Sequence, residues 1–242
     1  MLVSTFFTSR SAYELGSSSS NHGGSVHPYN SLNLALHVGD DANVVLQNRK
    51  SLKEQLSTAS GLPHMAPMFM NQTHGANVFV VDGVTDIEPS ADALITQLPG
   101  IALCVLVADC IPLLMWDQQV NVIAAVHVGR RGLLNGISAK VVDLMRMMGA
   151  QQIQAQIGPS ICGLCYEVGE DVYSEVVAQH PSTRSQTALG KPALDLRSGL
   201  EELLSTLEVP TEVVPGCTAE DLGLFSFRRD GITGRQAGVI WN

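Results

Sequence analysis

The sequence predicts an α+β protein built on mixed β-sheets, and three observations carry that prediction. Strand-like and helix-like segments alternate without the strict rhythm of a doubly wound parallel sheet. Three central runs, residues 101–107, 112–116 and 121–128, are apolar almost throughout, as strands covered on both faces are. Residues 131–148 place Leu133, Leu134, Ile137, Val141, Leu144, Met145 and Met148 at helical spacing, with Gly149 as the stop.

Taken in order, the chain begins with a short strand over residues 3–8. Residues 16–29, GSSSSNHGGSVHPY, are rich in Ser and Gly and lack periodicity, which predicts a mobile surface loop. The leucines of 31–41 alternate with polar groups until Gly39-Asp40-Asp41 breaks the pattern. Asp40 or Asp41 then caps a helix over 42–57 with Val44, Val45, Leu52 and Leu56 as its apolar positions. Residues 77–81 are β-branched and aromatic and form a strand. Beyond the central strands and helix come a strand over 153–157 and helices over 167–178 and 196–207, followed by late strands over 211–215 and 236–241. There is no internal repeat.

Composition narrows the function. A 45% hydrophobic, 15% charged chain of 242 residues has a substantial core. The net charge of −9 repels phosphate backbones, so neither nucleic acid nor an anionic membrane is an expected partner. A local arginine cluster can still hold a small anion. The most apolar stretch, 101–116, is too short for a bilayer span and contains Asp109 and Pro112. The start, MLVSTFFTSR, lacks the basic region of a signal peptide, so a soluble, cytoplasmic protein is expected. Five cysteines, an odd number in a chain too large to need staples, point to reduced thiols with metal-binding or catalytic roles.

Three islands hold the chemistry. NQTHGAN, VADCIP and AVHVGRRG each present one side chain with a metal-binding atom: His74, Cys110 and His127. The last two stand at the ends of buried strands, where side chains can converge. Together they would give three protein ligands and one open position, the arrangement of a catalytic zinc. Each residue taken alone is better explained as a loop histidine, a small buried hydrophobe or a satisfied core histidine, and the intervals match no zinc-finger pattern. The residues alone therefore leave the joint site open.

Several neighbours extend the picture. Gly129-Arg130-Arg131-Gly132 opens a helix, and its guanidinium and N–H groups could hold a phosphate or carboxylate. Asp109, beside Cys110, could orient a histidine ligand or act as an acid/base group. Cys162 and Cys165 form a C-x-x-C with no second such pair, and packing is the favoured role. Arg228, Arg229 and Arg235 could add positive potential near an anion pocket.

These islands, in this order, resemble the YfiH-like family. That family was long labelled multicopper polyphenol oxidoreductase or laccase-domain proteins and is more recently described as purine nucleoside phosphorylases with adenosine deaminase activity. The resemblance runs from HGGSVHPYNSLNLALHVGDD through NQTHGANV, ADALIT, PGIALCVLVADCIPLLMWD, AAVHVGRRGLLNGI, IGPSICGLCYEVGEDV and DLRSGLEELL to FSFRRDGITGRQAGVIW. It implies one domain over 1–242, with two mixed sheets packed face to face between helices in α/β/β/α layers. It implies Zn2+ on His74, Cys110 and His127, with copper as the other metal, and purine nucleosides and inorganic phosphate as substrates. Methylthioadenosine stands beside adenosine and inosine. The phosphate falls to Arg131 and Arg130, and Asn33, Gln72 and Asp109 are further polar contacts. A monomer or small homo-oligomer is expected.

Three departures stand out: Arg130 replaces the family's Trp, Leu164-Cys165 replaces an adjacent cysteine pair, and residues 16–21 look like an insertion that covers the site. The rival functions are a metal-free cysteine hydrolase with Cys110, His127 and Asp109, a peptidoglycan-precursor editing hydrolase, a non-catalytic nucleoside-binding module, and a copper polyphenol oxidase. The oxidase is the weakest, because several coppers need many histidines and only two of the seven, His74 and His127, lie in the three islands that hold the chemistry.

Overall fold

Continuous apolar strands need cover on both faces, and here the cover comes from stacking two sheets. The computed structural model describes residues 3–11, 23–85 and 87–242. Its strands are β1 (Ser4–Phe7), β2 (Ala66–Met68), β3 (Val78–Val80), β4 (Ala93–Thr96), β5 (Ile101–Val107), β6 (Ile111–Asp117), β7 (Val122–Val128), β8 (Gln154–Ile157), β9 (Arg184–Gln186), β10 (Pro192–Leu194), β11 (Thr211–Val213) and β12 (Gln236–Trp241). The helices are α1 (Ala42–Ser60), α2 (Arg130–Leu134), α3 (Ile137–Met147), α4 (Glu170–Gln179), α5 (Leu196–Thr206) and α6 (Phe227–Asp230).

One sheet has the order β1-β12-β5-β2 and the other β11-β8-β6-β7-β4-β3, with β9 and β10 forming a separate small ribbon. Both large sheets are mixed. Strands β2 and β5 are parallel while β12 and β5 are antiparallel, and β3–β4 and β8–β11 are parallel at the two edges of an otherwise antiparallel sheet. Alternate side chains of β5, β6 and β7 then divide between layers. Leu103, Val105 and Val107 meet Leu114, Ile123 and Ala125 between the sheets. Leu52 and Leu56 of α1 cover Cys104 and Leu106 on one outer side. Val141, Met145, Leu200 and Leu204 of α3 and α5 cover Leu113, Met115 and Val126 on the other. The order of layers is helix, sheet, sheet, helices, as the family resemblance implies.

The structure differs from the sequence-based expectations in several places. The helix expected over 131–148 is two helices, because Gly136 adopts a left-handed φ of 70° between α2 and α3. The apolar spacing runs on across this break and conceals it. Residues 167–168 are not helical: Glu167 bridges Ala193, the Val168 N–H bonds Pro192 O, and α4 begins only after Gly169. Asp41 caps α1, its side chain accepting from Asn43 N, and the helix continues to Ser60. Residues 31–41 form turns and irregular backbone, with Leu32 and Leu34 fully buried. Much of the expected Ser/Gly-rich loop, including residues 16–21, lies outside the described residues.

Candidate metal centre

The two sheets are joined by segments that cross from one to the other, and two of the three candidate ligands sit on these crossings. His74 lies between β2 of the first sheet and β3 of the second, and Cys110 lies between β5 and β6. His127 belongs to β7, where it pairs with Pro112 of β6. The crossings turn sharply: His74 and Asp109 both have positive φ, 57° and 94°. Such φ values are uncommon outside glycine and mark tight turns. The donor atoms of His74, Cys110 and His127 all lie within 4.8 Å of one another. The two imidazoles stand edge to face, their centroids 4.7 Å apart. His127 is 2% exposed and Cys110 half-buried, while His74 faces outward.

A carboxylate that the sequence did not single out holds this arrangement. Asp92 precedes β4, and the pairing of Ala93 with Val126 sets it beside His127. Its Oδ1 accepts from His127 Nδ1 at 2.9 Å and from His74 N at 2.9 Å. Its Oδ2 accepts from Gly75 N at 2.7 Å and Thr73 Oγ1 at 2.9 Å. Burial alone would raise the Asp92 pKa, but the hydrogen bonds from His127, Gly75 and Thr73 outweigh it and hold the carboxyl down at about 2. Burial likewise works against ionising Cys110 and His127. The imidazoles nevertheless pull the thiol below its usual range, and Cys110 and Asp92 push His127 above its own.

These residues fit a soft or borderline divalent ion. With Nδ1 engaged by Asp92, Nε2 of His127 is the nitrogen left to coordinate, the carboxylate–histidine arrangement common behind metal ligands. One thiolate and two imidazoles suit zinc or copper and leave a coordination position open. Gly129 is shaped by the same centre, since a Cβ there would lie 3.0 Å from Cys110 Sγ.

A cavity of about 530 Å³ opens onto the three donors. Its remaining lining includes Gln72, Tyr166, Phe227 and four arginines, Arg130, Arg131, Arg228 and Arg235. The positive charge is therefore concentrated here in a chain whose net charge is −9. Arg130 pairs with Glu175, and Arg228 and Arg235 donate to backbone carbonyls. Arg131 is exposed and has no partner among the described residues. Tyr166 and Phe227 supply the aromatic surface that the replacement of Trp by Arg130 put in question. His37 lines the same space, its pKa lowered by burial and then by Arg235.

Other expected site residues have different surroundings. Asn33 is fully buried away from the cavity, with Oδ1 accepting from Ala35 N and Arg235 N and Nδ2 donating to Ala35 O and Asp40. Gln72 lines the cavity, but its amide is engaged by both backbone groups of Leu106. Asp109 also lines it, yet Oδ1 accepts from Thr218 and Ser226 hydroxyls at 2.6 Å each, and Oδ2 from Arg228 N at 2.6 Å. The carboxylate that touches a candidate ligand histidine is Asp92. Asp109 instead joins the crossing loop to the C-terminal segment. Arg229 is turned to the carbonyls of Thr218, Asp221 and Leu224. The one trace of Asp92 in the sequence was an acidic residue directly before the apolar run ALIT.

Residues 14–242 match the family described as multi-copper polyphenol oxidoreductase laccase. A Streptomyces griseus protein named purine nucleoside phosphorylase ORF3 is 43% identical over 225 residues, covering 90% of each chain. A protein named adenosine deaminase RL5, from an unknown prokaryotic organism, is 35% identical over 229 residues, covering 84% of each. Among solved structures, the Bacillus licheniformis hypothetical protein YfiH superposes with a TM-score of 0.84 at 30% identity, covering 99% of this chain and 92% of that one. Neisseria meningitidis protein NMB0706 gives 0.81 at 31% identity, covering 99% and 93%. The chain belongs to the multi-copper polyphenol oxidoreductase laccase family, the YfiH-like proteins.

Proposed function

We propose that this protein is a zinc-dependent purine nucleoside phosphorylase, acting on adenosine, inosine and methylthioadenosine, that also deaminates adenosine. The observation that carries the proposal is the convergence of His74, Cys110 and His127 on a cavity lined by four arginines. Relatives of 35–43% identity bear both activity names. His74, Cys110 and His127 would hold a zinc ion, which would supply Lewis acidity. Arg131, with Arg130 beside it, binds inorganic phosphate through charge-assisted hydrogen bonds. Tyr166 and Phe227 offer flat apolar surface to a purine, and the cavity is of ligand-binding size.

In phosphorolysis a phosphate oxygen bonds to ribose C1′ as the bond from C1′ to the purine nitrogen breaks. The electron pair leaves with the base, which takes up a proton. In deamination a water oxygen adds to purine C6 and ammonia departs. Among the described residues no helix is long and apolar enough to cross a membrane. The proposed setting is the cytoplasm, where nucleosides and phosphate are available, and the proposed form is a monomer or small homo-oligomer.

The test is product analysis with purified protein and inosine or adenosine, with and without phosphate. Phosphate-dependent ribose 1-phosphate is expected. A protein with bound zinc that releases none would remove the phosphorylase reading.

A second reading rests on the chain of contacts from Cys110 through His127 to Asp92, which is also the order of a nucleophile, base and orienting carboxylate. A metal-free cysteine hydrolase would keep full activity in chelator and lose it on alkylation of Cys110. The zinc enzyme would lose activity in both treatments.

A further inference from the structure

Sequence spacing left the pair Cys162 and Cys165 without a partner pair, but folding supplies two more donors. The segment after β8 and the segment after β11 run side by side, joined by the bridge between Ser160 and Cys217. Cys162, Cys165, Cys217 and Glu220 thereby bring three sulfurs and one carboxylate oxygen within 4.8 Å of one another. We infer that these four residues form a second metal site, a thiolate-rich structural site for a zinc-class divalent cation, distinct from the centre at His74, Cys110 and His127.

Three observations support it. First, the size is right. Tetrahedral zinc with three thiolates holds its sulfurs roughly 3.8 Å apart, so closing the cluster requires only a small inward shift of side chains already in contact.

Second, the backbone is arranged to receive thiolates. The Cys162 N–H donates to Cys217 Sγ at 3.3 Å. Backbone donors aimed at sulfur stabilise the anion, which is the form that binds metal. A turn with Cys165 N on Cys162 O folds the C-x-x-C so that both sulfurs face one point.

Third, a carboxylate already stands against the thiols. Cys165 Sγ lies 3.5 Å from Glu220 Oε1. A divalent cation would displace the thiol protons and be shared among the four donors.

The placement gives the site a purpose. The two segments it would link both grip the Asp109 turn, Ile161 N through Asp109 O at 3.0 Å and Thr218 Oγ1 through Asp109 Oδ1 at 2.6 Å. Tyr166 of the cavity wall follows Cys165 directly. A cation here would brace the backbone behind Cys110 without touching substrate.

The experiment is cobalt(II) and zinc loading of the full chain, followed by removal of loose metal, metal quantification and sulfur-ligand counting by X-ray absorption. Wild type should retain two equivalents, and its cobalt form should show the intense thiolate charge-transfer absorption of a three-sulfur site. His74→Ala should keep that absorption while losing one equivalent. Cys217→Ser should lose the absorption and keep the other equivalent. Should Cys217→Ser fail to fold, the sulfur count on His74→Ala decides alone. A wild-type chain retaining one equivalent with one sulfur ligand would overturn the inference. So would an intact mass two hydrogens light that maps to a disulfide between Cys162 and Cys165.

Discussion

Asp92 and His127 are joined twice: Asp92 Oδ1 accepts from the His127 ring at 2.9 Å, and Asp92 O accepts from His127 N at 2.8 Å. The same carboxylate binds the backbone N–H groups of His74 and Gly75. One buried acid thus fixes the ring of one candidate ligand and the loop of another. Replacing Asp92 by Asn keeps an acceptor but removes the charge and sets an amide against the donors at Oδ2. Metal affinity should fall about 10- to 100-fold, as for other partners behind ligating histidines. Competition with a chelator measures it, and an unchanged affinity would show that the carboxylate is structural only.

Arg131 is exposed at the cavity and has no protein partner among the described residues. Arg131→Ala should therefore leave stability within about 0.5 kcal/mol of wild type. It should raise KM for phosphate by about 10-fold or more, the loss of a charge-assisted hydrogen bond. Arg131→Lys should recover part of it, since a lysine keeps the charge but not the paired donors. Initial rates at varied phosphate decide the matter. A variant with unaltered phosphate dependence would move the anion site elsewhere.

Gly129 has an ordinary φ of −88°, so alanine is not barred by the backbone. The obstacle is Cys110 Sγ, 3.0 Å from where the new Cβ would stand. Gly129→Ala should keep the circular dichroism of the wild type and lose metal affinity, because the thiol must shift to make room. Retention of wild-type zinc affinity would mean that Cys110 is not a ligand in its present position.

Asp117, at the end of β6, accepts from Gln119 N, Gln151 N and Gln152 N at 2.8, 2.7 and 2.7 Å, fastening the turn between β6 and β7 to the segment that leads into β8. Burial works to raise its pKa, but these backbone donors outweigh that and depress it. A depressed folded pKa contributes stability that is fully present above the unfolded carboxylate value of about 3.9. That contribution is lost as pH falls through the folded value. Asp117→Ala should cost about 2 kcal/mol near neutral pH. The gap to wild type should shrink as the pH of denaturant melts is lowered below 4, and a gap independent of pH would contradict the assignment.

How much was legible in the sequence depended on whether the signal was local. The central strands announced themselves because burial on both faces leaves no polar alternation, and β5, β6 and β7 are buried at nearly every position. Helix α1 and its Asp41 cap, helix α5 and strand β12 were visible for similar reasons of spacing and capping. Strands β2, β4, β9 and β10 were missed. They are three or four residues long and exist because a neighbour offers hydrogen bonds, which composition does not reveal. The site divided in the same way. His74, Cys110 and His127 were recognisable through family motifs, and each residue alone had an ordinary explanation. Asp92 was passed over, and Asp109 was offered as a group that could orient a histidine or act as an acid or base, whereas the histidine contact is made by Asp92.

The sequence by itself determined which residue types are available: an apolar centre that must be covered twice, two imidazoles and a thiolate next to strand ends, and arginines in an acidic chain. Tertiary structure alone decided which of them meet. Strand register set Asp92 against His127, and two crossings between sheets carried His74 and Cys110 to the same place. The closing of separate loops set Cys217 and Glu220 against a C-x-x-C some 50 residues earlier. The physical reason is that side-chain identity is encoded residue by residue, whereas proximity between distant residues is created only when hydrogen-bonded sheets and buried faces fix their relative positions.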